Sequence, residues 1–254
     1  MTAAAVAERV QELYGDELLE DGGVVQVCSA WRDPQGLLRS VRVGPHAPQS
    51  QTDGFALALA RARADVIVTT GQILRDEPGL QHEIGSESGL NLSAWRRERL
   101  GRPAAPLIAV LTSGKSVDWS HPVFSGSSRV LLFTRDAQVG SLLEEGRSRG
   151  VEVIGEPEPS LASLLGRLGA SAAIRTVVLE VGPRSMASLF SAGSGSMGQV
   201  QEWMLSLCLA PSLSSSAQGE AWPDLSDPEN EGLGLLSEYR SEEVSGPWAF
   251  RRFR

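Results

Sequence analysis

The chain has 254 residues, 41% of them hydrophobic, which is enough apolar side chain to bury a substantial core and excludes a wholly disordered chain. A formal net charge of -8 and a pI near 5.0 argue against nucleic acid as a partner, because phosphate neutralisation needs Lys and Arg clustered on one face. Arg96, Arg97 and Arg99, and the C-terminal Arg251, Arg252 and Arg254, read as solvated surface rather than as such a stripe.

Val6, Val10, Leu13 and Tyr14 recur at helical spacing and predict an amphipathic helix over residues 3–19. The turn signal Asp21-Gly22-Gly23 precedes Val24-Val25-Gln26-Val27-Cys28, which reads as the first core strand. Thr52 and Asp53 offer an N-cap for a helix through Ala64, and Val66-Ile67-Val68 then runs as a buried strand into Thr69-Thr70-Gly71. The same order recurs twice: a helix from Leu142 to Arg149 before the strand Val151–Ile154, and one from Leu161 to Leu168 before Val177-Val178-Leu179. Leu107–Leu111 and Val130–Phe133 add strands. Helices alternating with short continuous apolar runs predict an α/β fold with a largely parallel sheet covered on both faces. Beyond Gln201, Trp203–Leu209 and Trp248–Phe253 are strand-like, and Ser212–Gly232, rich in Ser, Asp, Glu and Pro, reads as an exposed loop insertion. No repeat and no dividing linker is evident, so one domain over residues 1–254 is expected.

Cys28 and Cys208 lie inside apolar runs without metal-ligand spacing, so buried free thiols are expected and a disulfide framework is not. His46, His82 and His121 are scattered, and no metal site is expected. Glu8 and the lack of an unbroken apolar stretch give neither a leader nor a membrane partner, so a cytoplasmic location is expected, and Asn91-Leu92-Ser93 is a chance glycosylation match. Gly193, Gly195 and Gly198 spell a G-x-G-x-x-G, but they follow a helix pattern and precede a strand, the reverse of what dinucleotide binding requires.

Ligands of open α/β sheets bind beyond the carboxyl ends of the strands, and two such ends stand out. In one, the strand at Val66 reaches Gly71 and then the charged, Pro-marked segment Gln72-Ile73-Leu74-Arg75-Asp76-Glu77-Pro78-Gly79-Leu80. In the other, Val177-Val178-Leu179-Glu180-Val181-Gly182-Pro183-Arg184-Ser185 ends a strand in a carboxylate, a Gly-Pro turn and a helix start whose backbone amides can hold a phosphate. Either segment alone reads first as an ordinary strand–loop–helix turn.

Together and in this order they resemble the reductase domain of riboflavin biosynthesis, the C-terminal half of bacterial bifunctional deaminase-reductases. The resemblance rests on Ala60-Arg61-Ala62, Asp76-Glu77-Pro78-Gly79-Leu80 and Glu180-Val181-Gly182-Pro183, with Val27-Cys28-Ser29 and Asp33-Pro34-Gln35-Gly36 as a disrupted first signature. It implies a dihydrofolate-reductase-like fold with antiparallel C-terminal strands. It also implies hydride transfer from NADPH to the ribosyl carbon of a phosphorylated aminopyrimidine or a related small molecule.

On that resemblance Val27, Gln72, Asp76 and the turn Gly182, Pro183, Arg184, Ser185, Met186, Ala187 and Ser188 hold the cofactor, and Arg135 meets its extra phosphate. Arg61, Leu80 and Glu180 contact the substrate, Arg61 through a substrate phosphate. Trp203–Leu209 and Trp248–Phe253 would offer a homodimer interface. Four departures touch ligand positions: Gln72 replaces a threonine, Glu83 an arginine and Val181 a glycine, while Trp31 and Arg32 interrupt the first signature. Val181 would tolerate a left-handed turn poorly. A non-catalytic nucleotide-binding module is the alternative.

Overall fold

The computed structural model describes residues 3–16, 19, 22–41, 47–85, 91–190, 200–210, 225 and 227–254. Its strands are β1 (Gly23–Arg32), β2 (Leu38–Ser40), β3 (Val66–Thr70), β4 (Leu107–Leu111), β5 (Val130–Arg135), β6 (Glu152–Glu156), β7 (Thr176–Leu179), β8 (Val200–Cys208), β9 (Leu235–Glu243) and β10 (Gly246–Phe253). Its helices are α1 (Ala3–Tyr14), α2 (Gln51–Arg63), α3 (Gly71–Asp76), α4 (Leu92–Leu100), α5 (Asp136–Ser148), α6 (Leu161–Gly169) and α7 (Pro183–Phe190).

All ten strands join one sheet in the order β6-β5-β4-β3-β7-β1-β8-β10-β9, with β2 folded back on β1. Pairing is parallel from β6 through to β8, and antiparallel only for β2 on β1 and for β10 on β8 and β9. The expected α/β class, with a mostly parallel sheet and antiparallel C-terminal strands, is what the chain adopts. β3 and β7 are buried along their whole length, which explains why they read as unbroken apolar runs rather than alternating ones.

One face packs Ile67, Val178 and Met204 against Val6 and Leu13 of α1, Leu59 of α2 and Trp95 of α4. Further along, Ile108, Val110 and Leu132 meet Leu74 of α3 and Phe124. The opposite face packs Val68, Ala109 and Val177 against Leu164 and Leu168 of α6 and Met186 and Leu189 of α7.

Several boundaries differ from expectation for identifiable reasons. α1 stops at Tyr14 because Gly15 turns left-handed, φ 73°, with its N–H on the Gln11 carbonyl. α2 is capped by Ser50, whose hydroxyl accepts from the Asp53 amide at 3.0 Å, two residues earlier than Thr52 predicts. Residues 71–76, read as a Gly turn and loop, form the short helix α3, capped by the Thr70 hydroxyl. β2 and β9 carry no signal that reads as a strand from sequence, and β9 is largely exposed at the sheet edge. His46 and the glycines 193, 195 and 198 lie outside the described residues, as does most of the expected loop 212–232; within it, Leu225 is buried.

Two of the arginines expected on the surface are buried. Arg96 donates to the carbonyl oxygens of Ala62 and Ala64 at 2.8 and 2.6 Å, satisfying the end of α2, where the helix itself supplies no donor. Arg252 reaches Glu202, which also receives Arg63 Nη1 at 2.6 Å and Nη2 at 3.0 Å, so α2, β8 and β10 are tied by a buried ionic triad.

Candidate functional site

The strand order creates a natural crevice. From β3 the chain moves through α3 to β4 on one side, whereas from the adjacent β7 it moves through α7 to β8 on the other, so neighbouring carboxyl ends diverge. Val68 pairs with Leu179, and the Glu180 amide donates to the Val68 carbonyl at 2.9 Å. Thr70-Gly71 therefore stands beside Glu180-Val181-Gly182. At Gly71 a Cβ would come within 2.6 Å of Thr112 Oγ1, so the start of α3 can lie against the end of β4 only as bare backbone.

Glu180 anchors the centre of this crevice. Arg61, on the last turn of α2, donates Nε and Nη2 to the two Glu180 oxygens, each at 2.7 Å, a bidentate fork that fixes the carboxylate's orientation. Its Nη1 donates to the carbonyls of Gln81 and Glu83 at 3.0 and 3.1 Å. A single guanidinium thus ties α2, the end of β7 and the 81–83 segment. Burial opposes ionisation of Glu180, but the charge and hydrogen bonds of Arg61, with His82, hold its carboxyl below the ordinary range.

Two histidines close the same corner. His82 is only 1% exposed, its Nε2 lies 3.9 Å from a Glu180 oxygen, and neither ring nitrogen has a hydrogen-bond partner among the described residues. Burial lowers its pKa, Arg61 and His121 add to that, and Glu180 works the other way. His121 accepts at Nδ1 from the Val123 amide, so the proton sits on Nε2, which donates to the Glu77 carbonyl at 3.1 Å. The segment 77–85 is consequently strapped at Glu77 by His121 and at Gln81 and Glu83 by Arg61.

The structure brings some of the sequence-predicted residues together and separates others. Arg61 and Glu180 meet directly; Leu80 and Val27 are half-buried, Leu80 in the turn closed by its own amide on the Glu77 carbonyl. Gln72 and Asp76 are exposed on α3, with Gln72 Nε2 donating to Asp76 Oδ1 at 2.7 Å. In the turn 182–188, Pro183 and Met186 are buried, and Met186 packs in the core. Arg184, Ala187 and Ser188 are exposed, with Gly182 and Ser185 between. The Ser185 and Met186 amides turn back onto the Gly182 carbonyl at 3.0 and 3.1 Å. Arg135 is exposed at the end of β5, three strand spacings from β7, about 14 Å away. The left-handed strain expected of Val181 does not arise, since no residue other than glycine has positive φ among the described residues and Val181 is buried.

Sequence reasoning missed His82, His121 and the loop after β4. Nothing in their spacing marks the histidines. The Thr112-Ser113-Gly114 run does carry a signal, because it follows a core strand: Gly114 has φ 75°, and a Cβ there would come 2.6 Å from Thr134 Oγ1, itself buried without a partner. A cavity of about 150 Å³ lies under α3, lined by Gly71, Leu74, Arg75, Thr112, Asp118 and Phe124, on the face away from α7. Among the described residues no group of three or more His, Cys, Asp and Glu is placed to hold a metal, and no helix is long and apolar enough to cross a membrane.

No family model matches the chain, and no curated protein matches it. Solved structures do. A pyrimidine reductase-like protein from Corynebacterium diphtheriae is 22% identical with a TM-score of 0.58, over 92% of this chain and 91% of that one. RibD of Acinetobacter baumannii is 15% identical with a TM-score of 0.63, over 91% of this chain but 58% of the longer protein. The riboflavin biosynthesis reductase of Saccharomyces cerevisiae is 14% identical with a TM-score of 0.55, over 97% and 98% of the two chains. The chain accordingly has the fold of the riboflavin-biosynthesis pyrimidine reductases, along nearly its whole length.

Proposed function

We propose that the chain is an NADPH-dependent reductase that delivers hydride to the ribosyl carbon of a phosphorylated aminopyrimidine or a related compound. The observation that carries this reading is the crevice between β3 and β7, where Glu180 and Gly182 stand beside Gly71 at the divergence of two parallel strands. Its neighbours fit a dinucleotide laid across the strand ends. Gly71 and Gly114 present backbone where any side chain would collide, and the buried Thr134 hydroxyl beside Gly114 lacks a partner among the described residues.

When bound, the cofactor supplies the hydride; the chain's own residues bind and orient. The Gly182 backbone and Arg184 would take the pyrophosphate at the positive end of α7. The Ser185 and Met186 amides contribute little, being engaged on Gly182. Arg135 would meet the extra phosphate, and Gln72 and Asp76 would line the path between. Glu180, fixed by Arg61, would hold a substrate hydroxyl or amine in register for transfer, which makes the protein's part mainly one of positioning. A cytoplasmic location, one domain and a homodimer belong to the same proposal, but not a dimer paired through Trp203–Leu209 and Trp248–Phe253: these strands lie inside the sheet and bury Trp203, Trp248 and Phe250 within the chain itself.

Calorimetric titration with NADPH and NADH, on wild type and on Asp76→Ala and Gly182→Trp, tests it. Binding of NADPH in preference to NADH, weakened in Asp76→Ala and abolished in Gly182→Trp, is the expected result. No binding at millimolar cofactor would overturn the reading. A non-catalytic nucleotide-binding module is favoured by one feature, the closure of Glu180 by Arg61; NADPH binding without oxidation over a panel of aminopyrimidine ribosides would select it.

A further inference from the structure

We infer that the cavity under α3 seats the adenine ring of the cofactor, with Arg75 at its mouth as a second cation for the cofactor's extra phosphate. This rests on the reductase reading and places the far end of the dinucleotide. The cavity holds about 150 Å³, a volume that admits one aromatic ring. Leu74, Val110, Phe124 and Leu132 form an apolar floor, each at most 8% exposed. Arg75, Ser116 and Asp118 form a rim that is exposed to solvent. Buried apolar walls under a few polar groups are the anatomy of a ligand pocket, and the exposed rim leaves this one open.

Continuity with the crevice decides which ligand reaches it. Gly71 borders both, standing beside Glu180-Val181-Gly182 on one side and lining the cavity on the other. Val110 of β4 is two strand spacings from β7, about 10 Å, with β3 between them. A cofactor whose pyrophosphate lies at the start of α7 passes over Gly71, where a Cβ would come within 2.6 Å of Thr112 Oγ1, and its base arrives at the cavity. The substrate, held at Glu180, stays on the other side of β3.

The rim carries two opposite charges that do not neutralise each other. Arg75 Nη2 donates to Gln72 Oε1 at 2.9 Å, and Asp118 Oδ1 accepts from the amide and hydroxyl of Ser120 at 2.9 and 2.6 Å. Among the described residues neither forms an ion pair, and Asp118 Oδ2 has no hydrogen-bond partner. Arg75 Nη1 lies beside Gly71, 3.4 Å from where its Cβ would stand, on the route of the cofactor. An adenosine phosphorylated on its ribose 2′ oxygen has a donor amine at one end and an anion nearer the other. Asp118 complements the amine, and the Arg75 guanidinium complements the phosphate.

The test is calorimetric titration of wild type, Arg75→Ala and Ser116→Trp with NADPH, NADH and adenosine 2′,5′-bisphosphate, at low and high salt. Both substituted positions are exposed, and circular dichroism checks that the variants keep the fold. Wild type should bind the bisphosphate in competition with NADPH. Arg75→Ala should weaken NADPH and the bisphosphate roughly ten-fold at low salt and leave NADH unchanged, a difference that salt narrows. Ser116→Trp should fill the mouth and abolish binding of the bisphosphate. The inference is overturned if a protein that binds NADPH ignores the bisphosphate, or if either variant binds all three ligands as wild type does. Binding of the bisphosphate without NADPH would instead sink the reductase reading and keep the adenosine site, and binding of neither at millimolar concentration would sink both.

Discussion

Arg61 and Arg63 stand two residues apart on α2 and each grips a glutamate bidentately, yet the two pairs differ in what surrounds them. Glu202 is 0% exposed and shared between Arg63 and Arg252, at the join of α2, β8 and β10. Glu180 is at the rim of a crevice, shared between Arg61 and a neutral His82, and Arg61 spends its third nitrogen on a loop. The first arrangement has an excess of positive charge sealed in the core, which only a carboxylate can balance. The second is balanced one to one at the margin of solvent. One helix therefore supplies both a structural rivet and a positioning clamp, because residues two apart project to nearly opposite sides.

Charge removal separates them. Glu202→Gln should cost about 3–5 kcal/mol of folding stability, since it leaves two buried guanidinium groups without a counter-ion. Glu180→Gln should cost less, about 2 kcal/mol, because Arg61 keeps its two carbonyl partners and a path to water. Urea unfolding of both variants checks the order; equal losses, or a larger loss at Glu180, would show that the clamp bears the greater structural role.

How much of this contrast the sequence displays depends on the range of each interaction. The sheet is legible because its central strands are covered on both faces and so read as continuous apolar runs, and the crevice is legible because Glu180 and Gly182 directly follow one of them. The Arg61–Glu180 pair is not, for its members are 119 residues apart and nothing local at Arg61 distinguishes it from an exposed helix arginine. Arg96 and Arg252 misled for the same reason: a guanidinium is buried or solvated according to which unsatisfied carbonyls or carboxylates the fold brings to it. The expected penalty at Val181 came from assuming that the turn needs a left-handed residue, which the observed backbone avoids.

Acid should distinguish the clamp from the rivet before either carboxylate titrates. His82 is held neutral by burial, with a folded pKa below its ordinary value. The unfolded chain therefore binds the proton first, and stability falls as pH drops below about 6.5, toward the lower folded value. Glu180 and Glu202 act in the other window: their folded pKa values are lowered, so their contribution is present above the ordinary carboxylate range and is lost as pH falls through the folded values. Denaturation midpoints taken between about pH 7.5 and 5.5 should decline in wild type and flatten in His82→Gln. A decline of the same slope in His82→Gln would remove His82 from the account.

The smallest effect tests whether α2 transmits strain from one end to the other. Ser50→Ala removes the hydroxyl that accepts the Asp53 amide and should cost about 1 kcal/mol. Both arginines lie in the last turn, beyond the cap, and each is fixed by partners outside the helix, so fraying at Ser50 should leave their pairs intact. Folding stability should drop while affinity for the aminopyrimidine substrate is unchanged. If affinity falls with stability, the orientation of Arg61 depends on the whole helix, and the clamp and the rivet are one cooperative unit rather than two devices on a shared rod.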